Sequence, residues 1–554
     1  MMKFLRIAFA LCLLTPILLI AQKATPGADP LAPTHNVKSA EQIEQEWEKS
    51  VAKYDSQRNS LLKEADRQAN DGPFRPDWES LRHYKQPQWY LDAKFGIFIH
   101  WGVYSVPSAE SEWYPRNMYK PEEGAYKDFQ KRFASSDPAQ KDALGYKDFI
   151  PKFKAEKFDP AAWASLFKAS GAQYVVPVAE HHDGFSMYDS GLSDWTAVKM
   201  GPRRDVIGDL AKAIRAEGLH FGLSSHRAEH DFFFDGGRDI RSDVNDPKYA
   251  SLYGPAHHQT EGHTNGGMMD DWTYVSPAWT ADWMARMTEL VEKYKPELVY
   301  YDWWIGQPNF RSRVQEFDAF YYNYAAAHGY SGVVNFKYYA MDWKSAVRDF
   351  ERGQLASIEP DHWQTDTSIS KLSWGYIEND QYQPPEFLIH QLVDIVSKNG
   401  NLLLNIGPKP DGTIPDQIQT TLKAMGVWLK ANGESIYGTT PWKVYGEGPT
   451  KVIEGAFHDQ DTKPYTTEDF RFTQKGHTLY AIGMACPADA ASGSATIHAL
   501  GSDKDAKGLT FDSIELVGSS EKVTWKQEPD ALNVKLPASS QCNYAYVLKI
   551  AMKM

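Results

Sequence analysis

Residues 276–304 read SPAWTADWMARMTELVEKYKPELVYYDWW. Ser276 and Pro277 suit the cap and first turn of a helix, and Pro296 ends it. LVYY follows as a short apolar run, and an acid, Asp302, stands directly after it. The unit is a capped helix running into a buried strand with a polar residue at its end. It recurs on both sides. FGIFIH (95–100), YVVPVAE (174–180), HFGLSSH (220–226), GVVNF (332–336) and NLLLNIGP (401–408) have the same strand character. Between them lie helices opened by Asp159-Pro160, Asp205 and Pro384, with Gly171, Gly218 and Gly400 as stops. At least six strand–helix alternations predict a parallel sheet. Their span, about 350 residues, suits an irregular (β/α)₈ TIM-like barrel with loop insertions. A doubly wound open sheet is the weaker reading, because no glycine-rich phosphate loop follows an early strand. Residues 338–380 are left to supply the two remaining strands.

After about residue 440 the rhythm changes. HTLYAIGMA, SATIHAL, FDSIELVG, KVTWKQE and YAYVLKIAM alternate in and out with turn residues between them, as in an antiparallel β-sandwich. Clustered acids and histidines are missing there, so a supporting role is expected. The expected organisation is a signal peptide at 1–22, a linker and exposed helix at 23–74, the barrel at 75–440 and the sandwich at 441–554. The signal peptide is read from Lys3 and Arg6 ahead of a 14-residue apolar stretch, Ile7 to Ile20, too short to span a bilayer. An exported chain with no membrane span is the expectation. Cys486 and Cys542 would remain after processing, as a disulfide or as two buried thiols.

A net charge of −13 argues against nucleic acid as a partner. Aromatic residues reach 13%, with 18 Trp and 30 Tyr, enough to furnish ring platforms as well as core. In a parallel barrel the site lies at the C-terminal strand ends. Those ends carry His100-Trp101, Glu180-His181-His182-Asp183, His226, Asp302-Trp303-Trp304 and Asn335-Phe336-Lys337. Asp302 stands out, because an isolated buried carboxylate is costly. Trp303 and Trp304 beside it would form an apolar wall. Carboxylates, neutral histidines and rings together suit a sugar, whose hydroxyls need directional partners and whose C–H faces need ring surfaces. Glycoside hydrolysis needs a second acid, and Glu112, Glu351 and Glu359 are the candidates. A metal-dependent barrel hydrolase is the alternative, with His181, His182, Asp183 and His226 as conceivable ligands. It is disfavoured because adjacent histidines in a regular strand face opposite ways.

Four stretches carry a resemblance: 89–114 (WYLDAKFGIFIHWGVYSVPSAESEWY), 179–223, LVYYDWW, and SWGY with LIHQLVDIVSKNGNLLLNIGPKPDG in 373–412. The chain resembles glycoside hydrolase family 29, the α-L-fucosidases. The resemblance implies a retaining double displacement on an irregular barrel, with no metal or cofactor and a fucosylated oligosaccharide or glycoconjugate as partner. Oligomeric state stays open. It implies Asp302 as nucleophile. It implies His100, Glu112, Trp113, His181, His182 and Trp374 as fucose-binding residues, with His226 at a further strand end. For the acid/base it favours Glu351, with Glu359 as runner-up. Two departures stand out. Asn335-Phe336-Lys337 replaces Asn-Asp-Arg, leaving Lys337 as substitute for a sugar-contacting arginine, and Gln364 replaces a glutamate. A fucose-binding protein on an inactive scaffold is the alternative from another class.

Overall fold

A computed structural model describes residues 38–134, 145–258, 275–487, 493–537 and 542–553. The expected signal peptide lies outside them. Eight parallel strands close into a barrel in sequence order. They are β1 (Phe95–Ile99), β2 (Tyr174–Glu180), β3 (His220–Ser225), β4 (Leu298–Tyr301), β5 (Val333–Lys337), β6 (Val347–Asp349), β7 (Trp363–Ser368) and β8 (Gly400–Ile406). β8 pairs back onto β1 with Phe95 beside Leu402. The two strands awaited from 338–380 are β6 and β7. β6 is three residues long and pairs with β7 only at Asp349 and Gln364, so the barrel is thinnest there.

The interior is packed with Phe98, Tyr174, Val176, Leu298, Tyr300, Val333, Val347 and Leu403. Gln364 ties this interior together. Its Oε1 accepts the hydroxyls of Tyr90 and Tyr174, both at 2.9 Å, and its Nε2 donates to Asp349 at 2.7 Å. Long helices form the outer ring, as the capping signals predict. Asp159 caps Pro160–Ala169, Asp205 caps Val206–Ala216, and Ser276 caps Pro277–Tyr294 through the backbone N–H of Trp279.

The C-terminal sandwich has a five-stranded sheet facing a three-stranded one. Its first strand, Thr440–Glu447, follows the last barrel helix, Asp416–Asn432, after a short 3₁₀ turn at Gly433–Ser435. The two cysteines are bonded to each other, with Cα atoms 5.7 Å apart.

One expectation needs correction. Residues 38–70 are not an exposed helix. They form α1 (Ala40–Val51) and α2 (Asp55–Asn70), and α2 packs along the barrel helices Pro277–Tyr294 and Arg311–Ala327. Ile43, Trp47 and Val51 recur every four residues and are buried. Trp47 sits 5.0 Å from the Trp279 ring, and Arg58 reaches buried Asp282 at 3.1 Å. A thin apolar stripe is enough because the partner surface is already built. Trp47→Ala should therefore lower the unfolding free energy by roughly 3–5 kcal/mol, read from the denaturant midpoint.

Candidate active site

The candidate site opens at the C-terminal ends of the strands, a pocket of about 420 Å³. Asp302 follows β4 and is 7% exposed. Its Oδ1 accepts the N–H of Trp303 at 2.9 Å and the Lys337 ammonium at 3.0 Å. Its Oδ2 faces His182 Nε2 and His226 Nδ1, each at 3.2 Å. Burial pushes the Asp302 carboxyl up, but Lys337 and the two histidines outweigh it and hold it well below the ordinary carboxylate range.

Lys337 ends β5 and is the hub of the pocket. Its ammonium also meets Glu351 at 2.7 Å and Asp366 at 3.5 Å. One nitrogen thus holds an oxygen of Asp302 and an oxygen of Glu351, and the two oxygens lie at most about 5.7 Å apart, the two legs laid end to end. Retaining glycosidases separate their carboxyl pair by about 5–5.5 Å, and inverting ones by about 6.5–9.5 Å. Glu351 is raised to about 7, first by burial and then by Asp366 and Asp302, with Lys337 pulling the other way. Two neighbouring carboxyls are thus pushed apart, one ionised and one able to carry a proton near neutrality.

The histidines supply neutral nitrogens. His100 hydrogen-bonds through Nδ1 to Asn405 Oδ1 at 2.8 Å. The Asn405 amide is oriented by its donation to Ser368 and to the Trp374 carbonyl, so His100 Nδ1 is the donor and Nε2 is left as an acceptor toward the pocket. Burial holds His100 and His181 well below their ordinary range and His182 at about 4. His181 and His182 both line the pocket, with ring centroids 4.2 Å apart. β2 stops at Glu180, so the pair lies in the following turn, where strand alternation no longer applies. Asp183 supports that turn by accepting from the Phe185 N–H and the Tyr146 hydroxyl.

Glu112 reaches across to the SWGY segment. Its Oε2 accepts the N–H of Trp374 at 2.8 Å and the Ser373 hydroxyl at 3.2 Å. Trp113, Trp303 and Trp374 present ring surface to the pocket.

Of the expected site residues, His100, Glu112, Trp113, His181, His182, His226, Asp302, Lys337, Glu351 and Trp374 all line this one pocket. Trp304 does not. It is fully buried, 5.0 Å from the Phe232 ring, and Trp303 takes the wall position. A 3₁₀ turn, Trp303–Gly306, begins at once after Asp302 and takes the second indole into the core. Glu359 lines a different cavity with Tyr339, Trp343 and Arg348. Gln364 is the barrel tie described above and not a pocket residue. Sequence reasoning missed Asp366, Arg352, Leu372 and Phe457, all in the lining. Asp366 had a signal: in WQTDTS the polar residues 364, 366 and 368 share one strand face.

Two triplets, His100–His181–His226 and His182–His226–Asp302, have ligand atoms close enough to hold a cation. Their chemistry fits one poorly. His226 engages Asp302 with one ring nitrogen and Ser224 with the other, and the Lys337 ammonium already supplies the positive charge beside Asp302.

Paired carboxyls at this spacing, ringed by neutral hydrogen-bonding groups and bare indoles, are what a glycosidic bond requires, and the class follows: a barrel glycoside hydrolase. The comparisons narrow it. The α-L-fucosidase family model matches residues 61–434, and the α-L-fucosidase C-terminal domain model matches 462–551. Human plasma α-L-fucosidase is 33% identical over 475 residues, 84% of this chain and 88% of that protein. Rat tissue α-L-fucosidase is 31% identical over 472 residues, again 84% and 88%. The Thermotoga maritima α-fucosidase crystal structure superposes with a TM-score of 0.67 at 29% identity, covering 86% of this chain and all of that one. The chain belongs to the α-L-fucosidase family, glycoside hydrolase family 29. Among the described residues no helix is long and apolar enough to cross a membrane.

Proposed function

We propose that the protein is an exported, exo-acting enzyme that removes terminal α-L-fucose from glycans by double displacement. The observation that carries this is the shared Lys337 ammonium, which brings Asp302 and Glu351 within retaining distance. Asp302 attacks the anomeric carbon while Glu351 delivers its proton to the departing glycosidic oxygen, giving a fucosyl ester of Asp302 and a free leaving group. Water then attacks the same carbon, Glu351 takes its proton, and the Asp302 carboxylate is released. His100, His181, His182 and Glu112 receive and donate to the fucose hydroxyls, and Trp374 and Trp113 cover its C–H faces. Export rests on the N-terminal basic and apolar stretches and fits the Cys486–Cys542 bond, since disulfides persist in oxidising compartments. An aryl α-L-fucoside followed by NMR from the first turnover should release α-fucose, in the presence of a chelator as in its absence. First-formed β-fucose would overturn the mechanism, and loss of activity in chelator would restore the metal-hydrolase alternative.

Lys337 gives a pH test. It lowers both Asp302 and Glu351, so removing it raises both. Asp302 must be ionised to attack, which sets the acid limb, and Glu351 must be protonated to assist departure, which sets the basic limb. Lys337→Met should therefore move both limbs of the kcat/KM profile to higher pH, with a loss at the optimum of about 10²-fold or more as a preorganised charge disappears.

A further inference from the structure

The loop that leads from the first sandwich strand, Thr440–Glu447, to the next, Phe470–Lys475, reaches the mouth of the pocket with Phe457. It is pinned to the chain that follows β6 by three backbone hydrogen bonds: Gly455 N–H to Gln354 O at 3.1 Å, Phe457 N–H to Glu351 O at 2.9 Å and Asp459 N–H to Arg352 O at 2.9 Å. The fit is close on both sides. Phe457 and Arg352 both take positive φ, 61° and 42°, a conformation L-residues adopt rarely and mostly where surrounding structure imposes it. A Cβ on Gly353 would collide with the Gly455 carbonyl oxygen. The result is a bulky apolar ring, 53% exposed, held at the rim beside Glu351.

Leu372 stands at the same rim, 54% exposed. Arg352 lies deeper, 9% exposed, over the Trp374 ring at 4.9 Å. Its Nη2 donates to the Ser370 carbonyl at 3.2 Å. Its Nη1 is buried and has no hydrogen-bond partner among the described residues. A buried guanidinium N–H without an acceptor is costly, and this one borders the pocket.

We propose that these residues form the leaving-group subsite and that it takes a pyranose sugar, Phe457 lying against the apolar ring face and Arg352 Nη1 donating to a ring or hydroxyl oxygen. This rests on the fucosidase reading, with Glu351 as the proton donor. The leaving oxygen must meet Glu351, so whatever it belongs to must lie next to the ring whose backbone is hydrogen-bonded to that residue. An exposed ring beside an unsatisfied donor matches a pyranose, which has an apolar face and a polar edge. A lipid or plain aryl group would leave the guanidinium unanswered.

The test compares α-L-fucosyl fluoride, whose leaving group is a single atom, with fucosyl disaccharides of galactose, glucose and N-acetylglucosamine. Phe457→Ala and Gly353→Ala should each lower kcat/KM on the best disaccharide by about tenfold or more relative to the fluoride. Arg352→Met should act in the same direction, with Arg352→Lys recovering part of the loss. With the fluoride as donor and the free sugar as acceptor, Phe457→Ala should also give a smaller ratio of transfer to hydrolysis, which a merely structural defect would not change. An equal fall on both substrates, or no fall on the disaccharide, would overturn the proposal. If the unaltered enzyme cleaves neither substrate, the fucosidase reading itself falls, and the subsite with it.

Discussion

Asp302→Gly should lose on the order of 10⁴-fold or more in turnover, as nucleophile removals do, and azide should restore part of it with inverted product. In the proposed mechanism this side chain carries the attacking oxygen, and its four contacts suit that role. Lys337 and the Trp303 N–H fix Oδ1, while His182 and His226 fix Oδ2. These groups hold the charge without quenching it, and removing the carboxylate leaves a cationic slot below the anomeric carbon. Azide is small and anionic enough to enter it. Attack from there on an activated α-fucoside forms the carbon–nitrogen bond as the leaving group departs, so the product is the β-fucosyl azide. An α-azide, or a variant with more than a hundredth of normal turnover, would remove Asp302 from the nucleophile's role.

Glu351→Ala should give the complementary pattern. General acid–base assistance is worth about 10²–10⁴-fold, and its loss should track leaving-group basicity: severe on natural linkages, mild for the first step on an activated aryl fucoside. The intermediate should then accumulate, because the water-activating base is gone too. Azide needs no deprotonation, and it should attack the fucosyl ester from the face that the leaving group vacated, giving the α-fucosyl azide. The two variants thus give opposite product configurations from one reagent. The basic limb of the pH profile, near the value of about 7 to which Glu351 is raised, should vanish in Glu351→Ala. If Glu359→Ala shows these signatures instead, the assignment is wrong; in the structure Glu359 borders a separate cavity.

The barrel was legible because parallel strands buried on both faces read as continuous apolar runs, and because site residues stand where those runs stop. Asp302, His100 and the His181–His182 pair were found that way. Period-two reasoning failed where the backbone leaves the strand. Trp304 turns into the core in a 3₁₀ turn and leaves Trp303 alone at the wall, and both histidines face inward because β2 has already ended. β6 was invisible as a strand because three residues cannot show a pattern. Arg352 and Phe457 were out of reach for another reason. They are about a hundred residues apart in the chain, and each is held in a conformation that no propensity favours, Phe457 bonded to the Glu351 carbonyl and Arg352 accepting from Asp459. The helices at 40–70 were read correctly as helices and wrongly as exposed, since their few apolar residues face a surface made by distant parts of the chain.

The Gln364 tie has a consequence for solvent traffic. With both tyrosine hydroxyls and Asp349 drawn onto one amide, the barrel is plugged beneath the site. In the proposed mechanism, hydrolytic water would then be expected through the opening by which the leaving group exits. Departure would come first and water second, and the lifetime of the proposed ester would follow how promptly that doorway clears.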